Sequence, residues 1–330
     1  MKALITGAAG FMGPFLRDRC LEAGCSVLGI DISEPQEAWV DTSFECCDVR
    51  DYGHFSKLIL RFRPDRIFHL AAQSYPTVSL DKPRETVEIT VCGTINLYES
   101  LRALGMKPVV VVACSSAEYG PVAAQDIPVK ETHPLRPLHP YGVSKVGQDL
   151  IASQYFINYS IPTVRIRIFN TTGPGKIGDV CSDLTRRAVE LERGIKHRFL
   201  KVGNVTTRRA IGDVRDLIRA LWISAERCEL GEVYNVGAEN IFSVQELIEA
   251  IRAQLGIAFE VEQDPLLVRA SDEPVIAGDT TKFRSRCAWK PEIPLAITLK
   301  DMLEWWRIQL GNPTLASRQS DTRRSGYSNS

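Results

Sequence analysis

The first thirteen residues limit the architecture more than any other stretch. An apolar run, Lys2–Thr6, passes directly into Gly7-Ala8-Ala9-Gly10-Phe11-Met12-Gly13, and a helical stretch with Pro14 in its first turn follows. Glycines permit a tight turn and let the backbone approach an anion closely. The helix start then offers free N–H groups and the positive end of its dipole. Proline suits that first turn, because the N–H it lacks would go unpaired there anyway. A strand, a glycine turn and a helix in that order form the setting in which such a triplet cradles a dinucleotide pyrophosphate. Gly7, Gly10, Phe11, Met12 and Gly13 are therefore candidate cofactor contacts. Asp31 ends the second strand, Ser26–Ile30, 18 residues beyond Gly13. A carboxylate there can accept from an adenosine ribose 2′-hydroxyl and repels a 2′-phosphate, so NAD(H) is favoured, with NADP(H) as the alternative.

Short apolar runs continue to alternate with helical stretches. Helices are expected at Phe15–Ala23, Ser56–Phe62, around Arg84–Leu104 and Val143–Tyr159. Strands are expected at Arg66–Leu70, Pro108–Ala113 and Thr163–Phe169, with Gly and Pro at the joints. This rhythm predicts β-α-β units and a doubly wound parallel sheet, an α/β Rossmann fold. After Asn170 the texture changes. Thr171–Gly175 reads as a loop, Leu184–Arg193, Val214–Ala225, Gln245–Leu255 and Leu299–Gln309 as helices, and Glu232–Val236 as a return to the sheet. The expected division is a dinucleotide-binding domain of residues 1–167 and 213–240. A smaller, interleaved α/β substrate domain takes residues 168–212 and 241–312. After Ala316 the only apolar residue is Tyr327, so residues 313–330 read as a disordered tail.

Charge and composition exclude several classes. Lys and Arg number 40, as do Asp and Glu, so the chain lacks the basic surplus that nucleic-acid binding needs. Its longest apolar runs are strand-sized, far short of the ~20 residues that span a bilayer. The N-terminal apolar stretch is too short for an export signal. The nine cysteines are scattered without a Cys-x-x-Cys, which predicts buried free thiols in a reducing cytoplasm. The five histidines have no zinc spacing, so no metal is expected, and His69 reads as a satisfied residue near a strand end.

Tyr141-Gly142-Val143-Ser144-Lys145 sets a phenol and an ammonium four residues apart at a helix start, hence on one face. An ammonium that close favours phenolate and is expected to lower the tyrosine pKa into a useful range. The pair follows a strand that ends in Cys114-Ser115-Ser116.

These pieces together resemble the extended short-chain dehydrogenases/reductases, which redox-modify nucleotide-linked sugars. The resemblance rests on the glycine triplet, Asp48-Val49, His69–Ser74, Ser115–Gly120, Tyr141–Lys145 and Arg167–Asn170. It implies that Asp48 and Val49 contact adenine and that Leu70, Ala71 and Ala72 line the cofactor. Ser115, Tyr141 and Lys145 become the catalytic set: Ser115 bonds the sugar oxygen that Tyr141 protonates or deprotonates, and Lys145 also holds the nicotinamide ribose. Lys201, Asn204, Arg209, Asn170, Arg269 and Asp272 are similar to the nucleotide-sugar contacts of GDP-mannose dehydratases and GDP-6-deoxy-mannose reductases. The family also implies a homodimer built on the helices Arg84–Leu104 and Val143–Tyr159, where Ile151, Tyr155, Phe156 and Tyr159 exceed what one sheet-facing stripe needs.

One departure bears on the reaction. Sugar dehydratases of this family carry an acidic group just after the catalytic Ser/Thr; here those places are Ser116, kept as a substrate contact, and Ala117. Glu118 comes one step later, where strand alternation points it away. The expected activity is reduction at C4 of a GDP-linked 4-keto-6-deoxyhexose, with GDP preferred to UDP- or dTDP-sugars. The rivals are a 4-epimerase with resident NAD, then a GDP-mannose 4,6-dehydratase, and outside catalysis a nucleotide-sugar-binding regulator.

Overall fold

The computed structural model describes residues 1–35, 39–195, 199–256, 259–264 and 275–311. Arg269, Asp272 and the 313–330 tail lie outside the described residues. The first half runs β1 (Lys2–Thr6), α1 (Gly13–Glu22), β2 (Ser26–Asp31), β3 (Ser43–Cys46), α2 (Tyr52–Phe62), β4 (Arg66–His69) and α3 (Pro76–Asp81). Then come α4 (Pro83–Val87), a π-helical turn (Glu88–Cys92), α5 (Gly93–Ala103), β5 (Val109–Ser115), α6 (Pro140–Tyr159) and β6 (Thr163–Ile168). The second half holds β7 (Thr171–Thr172), α7 (Val180–Glu192), β8 (Phe199–Val202), β9 (Arg208–Ala210), β10 (Gly212–Asp213) and α8 (Val214–Arg227). It closes with β11 (Val233–Val236), β12 (Ile241–Ser243), α9 (Val244–Leu255), β13 (Glu260–Gln263), β14 (Val275–Ile276), α10 (Thr281–Cys287) and α11 (Leu295–Gly311).

Seven strands form one sheet in the order β11-β6-β5-β4-β1-β2-β3, all parallel. Its central strands β1, β2 and β5 are largely apolar on both faces, as parallel strands covered by helices are, whereas β6 turns Thr163, Arg165 and Arg167 to one face. One face packs Leu16, Cys20, Leu217, Leu221, Trp222 and Phe283 from α1, α8 and α10. The other packs Phe55, Leu58, Leu97, Leu101 and Ala152 from α2, α5 and α6. Strand order reverses between β1 and β4, where Thr6 pairs with His69. Ligands of such sheets bind beyond the strand ends at that reversal. A separate apolar cluster joins α7, β8, α9 and α11 through Leu184, Leu200, Leu247 and Trp306.

Several expectations are corrected. The long helix at Arg84–Leu104 is interrupted by the π turn, and Thr171–Gly175 is not all loop, because Thr171 and Thr172 pair with Gly212 and Asp213. The small strands carry no periodic signal, being two to four residues long. All nine cysteines are free, yet Cys46 and Cys92 are exposed rather than buried. On α6, Tyr155 belongs to the core, stacked on Tyr98, and Ile151 packs against that core. The outward apolar stripe is instead Val143, Leu150 and Ile157, each more than half exposed.

Candidate active site

The glycine turn is shaped by steric exclusion. Gly7 has φ +71°, and a Cβ there would lie 2.8 Å from the Ala71 nitrogen; at Gly13 a Cβ would meet the Ala8 carbonyl oxygen at 1.9 Å. No side chain caps α1; the Gly13 nitrogen donates to the Gly10 carbonyl and Pro14 has no N–H, which leaves the Phe15 N–H and the positive dipole end for an anion. Asp31 reaches back to this turn, accepting from the Ala9 nitrogen at 3.0 Å and the Ser33 nitrogen at 3.2 Å. Burial pushes its carboxyl above the ordinary range. Phe11 and Met12 pack partly buried beside α1, while Leu70, Ala71 and Ala72 follow β4 at the reversal. Asp48 is gripped by Arg50, and Val49 is buried against Gly93. The open turn, the uncapped helix and the anchored acid fit a dinucleotide.

The reacting groups gather at the ends of β5 and α6. Ser115 closes β5 and caps the short turn Ser116–Glu118, its hydroxyl accepting from the Ala117 nitrogen at 3.2 Å. The same hydroxyl is hydrogen-bonded to the Tyr141 phenol. Tyr141 occupies the first turn of α6 behind Pro140, and His139 caps the helix through Nδ1, which accepts from the Gly142 nitrogen at 3.0 Å.

Lys145 departs from expectation. Its ammonium lies 6.0 Å from the centre of the Tyr141 ring and donates to the Ala113 carbonyl at 2.7 Å and Gln148 Oε1 at 2.8 Å. It turns into the sheet rather than along the helix surface, and burial lowers its pKa to about 8. The phenol is not depressed. Burial pushes Tyr141 up to about 12, with the Ser115 hydrogen bond pulling only partly against it. Burial, invisible in a four-residue spacing, decides the direction, and the buried Glu118 and Cys114 nearby add to it.

Behind Lys145 runs a buried chain of hydrogen bonds whose directions are all determined. Thr94 Oγ1 donates to the Thr90 carbonyl at 2.6 Å, so it accepts both from Gln148 Nε2 and from His69 Nε2, each at 3.0 Å. His69 is then neutral with its proton on Nε2, leaving Nδ1 to accept from the Thr6 hydroxyl at 2.8 Å. Thr6 Oγ1 in turn accepts from the Ala71 nitrogen at 3.2 Å. His69 is thus a satisfied strand-end residue, held neutral with a pKa of about 3, by burial first and the Lys145 charge second.

Glu118 lies in a helical turn rather than on a strand, so alternation does not govern it. It is fully buried; Oε1 accepts from the Ser115 nitrogen at 2.8 Å, and Oε2 lies 3.1 Å from Arg167 Nε. Asp149 shares that guanidinium at 2.9 Å and also binds Arg165. Burial, then the Asp149 carboxylate, pushes the Glu118 carboxyl up. With no exposed surface it does not face the cleft.

Of the sugar-side candidates, Ser116 opens the turn beside Ser115, and Asn170 keeps a buried Nδ2 donor without a partner. Asn204 folds its own turn by accepting from Thr206, and Arg209 on β9 donates to the Arg208 carbonyl at 2.9 Å. Lys201 is on β8, paired with Glu262 of β13. Gln148, Thr94 and His139 were not singled out from the sequence. Two of them carried a signal, Gln148 by its place one turn after Lys145 and His139 by preceding a proline at a helix start.

A seven-stranded parallel sheet with a phosphate-shaped turn and a Ser–Tyr pair beside a buried lysine defines an extended short-chain dehydrogenase/reductase. The chain matches the family described as GDP-mannose 4,6 dehydratase over residues 4–302, and it belongs to that family of nucleotide-sugar-modifying enzymes. It is 30% identical to a GDP-6-deoxy-D-mannose reductase of Pseudomonas aeruginosa, covering 75% of this chain and 82% of the relative. It is 28% identical to a GDP-mannose 4,6-dehydratase of Vibrio cholerae, over 91% and 92%. Among solved structures, RMD from Pseudomonas aeruginosa complexed with NADPH superposes with a TM-score of 0.83 at 26% identity, over 93% and 99% of the two chains. A UDP-glucose 4-epimerase from Thermotoga maritima with UDP-glucose gives 0.86 at 25%, over 94% and 100%.

Proposed function

We propose that this protein reduces the C4 ketone of a GDP-linked 4-keto-6-deoxyhexose. One observation carries the reading: among the described residues, the positions just after Ser115 bring no carboxylate to the cleft, because they are Ser116 and Ala117, and Glu118 is fully buried on the Ser115 nitrogen and Arg167. Dehydration across C5–C6 needs a base and an acid there; reduction needs neither. Gly7, Gly10, Gly13 and the start of α1 would hold the cofactor's pyrophosphate, Asp31 its adenosine ribose, and Lys145 its nicotinamide ribose. The bound nicotinamide supplies hydride exchange at C4. Ser115 orients the carbonyl oxygen and steadies the charge that develops on it. Tyr141 donates the proton, and a phenol with a pKa of about 12 is fully protonated at neutral pH, the state a donor requires.

Asn170, with its unpaired buried donor, together with Lys201, Asn204, Arg209, Arg269 and Asp272, would take the nucleotide sugar. The division into residues 1–167 with 213–240 and 168–212 with 241–312 then separates cofactor from sugar. Asp31 favours NADH over NADPH. The stripe Val143, Leu150 and Ile157 supports a homodimer, and the many free thiols a cytoplasmic protein. Asp31 also lends support to a second reading, a 4-epimerase that keeps NAD and returns the hydride.

Mass analysis of sugars incubated with the protein decides among these. We expect GDP-4-keto-6-deoxymannose to consume NADH, with kcat/KM above that for NADPH. Release of water from GDP-mannose with NAD+ alone would overturn the reduction. So would interconversion of C4 epimers without net cofactor consumption.

A further inference from the structure

We propose that His139 is a positioning residue for Tyr141 and that it performs this role only as a neutral imidazole. The inference rests on the Ser115–Tyr141 pair being the reacting pair. Its starting point is the helix entry. Pro140 has no N–H to place, so the amides just behind it are the first that need an acceptor. The acceptor used is His139 Nδ1, 3.0 Å from the Gly142 nitrogen, on an extended cap residue with φ −144° and ψ 160°. A backbone N–H can only donate, so Nδ1 must hold a lone pair and the ring proton sits on Nε2.

Gly142 is also where α6 abuts the turn that carries Ser115. A Cβ at Gly142 would lie 2.6 Å from the Ala117 carbonyl oxygen and 2.8 Å from the Pro137 side chain, so the two segments are in direct contact there. The His139 ring in turn stacks on the Tyr141 ring, with centroids 5.8 Å apart and planes 26° from parallel. The cap thus fixes both the backbone and the ring of Tyr141 relative to Ser115.

Helix caps are usually Ser, Thr, Asp or Asn, whose oxygens accept across the physiological range. An imidazole does not. Protonated His139 would turn an N–H toward the Gly142 N–H and set a positive charge at the positive end of the helix dipole. Both effects expel the ring and release the start of α6. Few other charges bear on this ring. Arg136 upstream is exposed, Glu118 in the contacting turn faces Ser115 N and Arg167, Lys145 points into the sheet, and stacked Tyr141 stays protonated. Half-burial lowers the His139 pKa below 6.5, opposed by a hydrogen bond to its own backbone, so the cap holds at neutral pH and opens in acid.

The test begins on free protein labelled with 13C-histidine and 15N-glycine. The His139 ring and the Gly142 amide should titrate with one shared midpoint below 6.5. In His139→Asn, whose side-chain oxygen does not titrate there, the Gly142 amide shift should stay flat from pH 5 to 8. In NADH-driven reduction of GDP-4-keto-6-deoxymannose, the acid limb of kcat/KM for that variant should move down by at least one pH unit. Its turnover at pH 8 should remain within about threefold of wild type, whereas His139→Ala should lose roughly fivefold at pH 8, the common worth of a cap, and approach wild type in acid, where the wild-type cap is open. A Gly142 amide that ignores the His139 titration would overturn the proposal, as would an unmoved acid limb in His139→Asn. If the wild type fails to reduce this sugar, the functional reading falls, and the amide titration still decides the role of His139.

Discussion

Two single side chains carry predictions of opposite kinds. Tyr141→Phe removes only the phenolic oxygen, so turnover should fall by at least ~100-fold while folding is kept; near-normal turnover measured under saturating sugar would remove Tyr141 from the chemistry. His69 bears on stability. Its folded pKa of about 3 lies below the ordinary 6.5, so the unfolded chain binds a proton that the folded chain refuses. The stability it contributes is present above pH 6.5 and is lost as pH falls, at about 1.4 kcal/mol per pH unit. His69→Gln can still accept from Thr6 and donate to Thr94 without titrating. In urea unfolding, wild type should therefore lose stability relative to this variant steadily from pH 6.5 to pH 4. A difference independent of pH would show that His69 titrates normally. The Tyr141–Lys145 pair could be marked from its four-residue spacing together with the glycine turn and the strand ending in Ser115, whereas the role of Ser115 came only with the family resemblance. The direction of the Tyr141 shift was not legible, because it depends on how much of the surrounding sheet covers the ring.

At the scale of elements, β1, α1, β2 and the later sheet strands were readable from apolar runs and glycine joints. β3, α3 and the strands of two to four residues beyond Asn170, β11 excepted, were not, since so few residues establish no period. Helix faces proved harder still. Both Tyr155 and Ile157 are large and apolar on α6, yet Tyr155 stacks in the core and bonds Glu99, while Ile157 is 71% exposed. Only the angular position around the helix separates them, and that requires knowing where the sheet lies. Val143, Leu150 and Ile157 recur every seven residues, a spacing that keeps one edge of a helix in line. If that edge meets a second copy, Ile157→Glu should convert the dimer to monomer in sedimentation at micromolar protein. A wild type that sediments as a monomer would sink the dimer, and an unchanged dimer in the variant would move the interface elsewhere.

Across the whole molecule, the parallel sheet presents all its strand ends to one edge, and the residues expected to meet the two halves of the reaction collect there. The glycine turn follows β1, Leu70 follows β4, Ser115 ends β5, and Asn170 follows β6. Sequence order scatters these over 170 positions; parallel winding brings them together. The β-α-β winding was visible in the first half, where Gly24, Pro64 and Gly105 mark joints. It was less visible in the second, whose pieces return to the sheet with α8 and β11 before leaving it again.

The Thr6–His69–Thr94–Gln148–Lys145 chain also says something about how such a molecule can change. Its links come from β1, β4, α5 and α6, and each group's choice of giving or receiving a proton is dictated by its neighbour, like words whose endings must agree. A sentence of that kind tolerates no single altered ending. Swapping Thr94 for a side chain that cannot both give and receive would leave His69 and Gln148 without agreement, and through them the far ends of the line. Distant parts of the chain are thereby bound to vary together or not at all, although no two of the four elements are neighbours in the order in which they are synthesised.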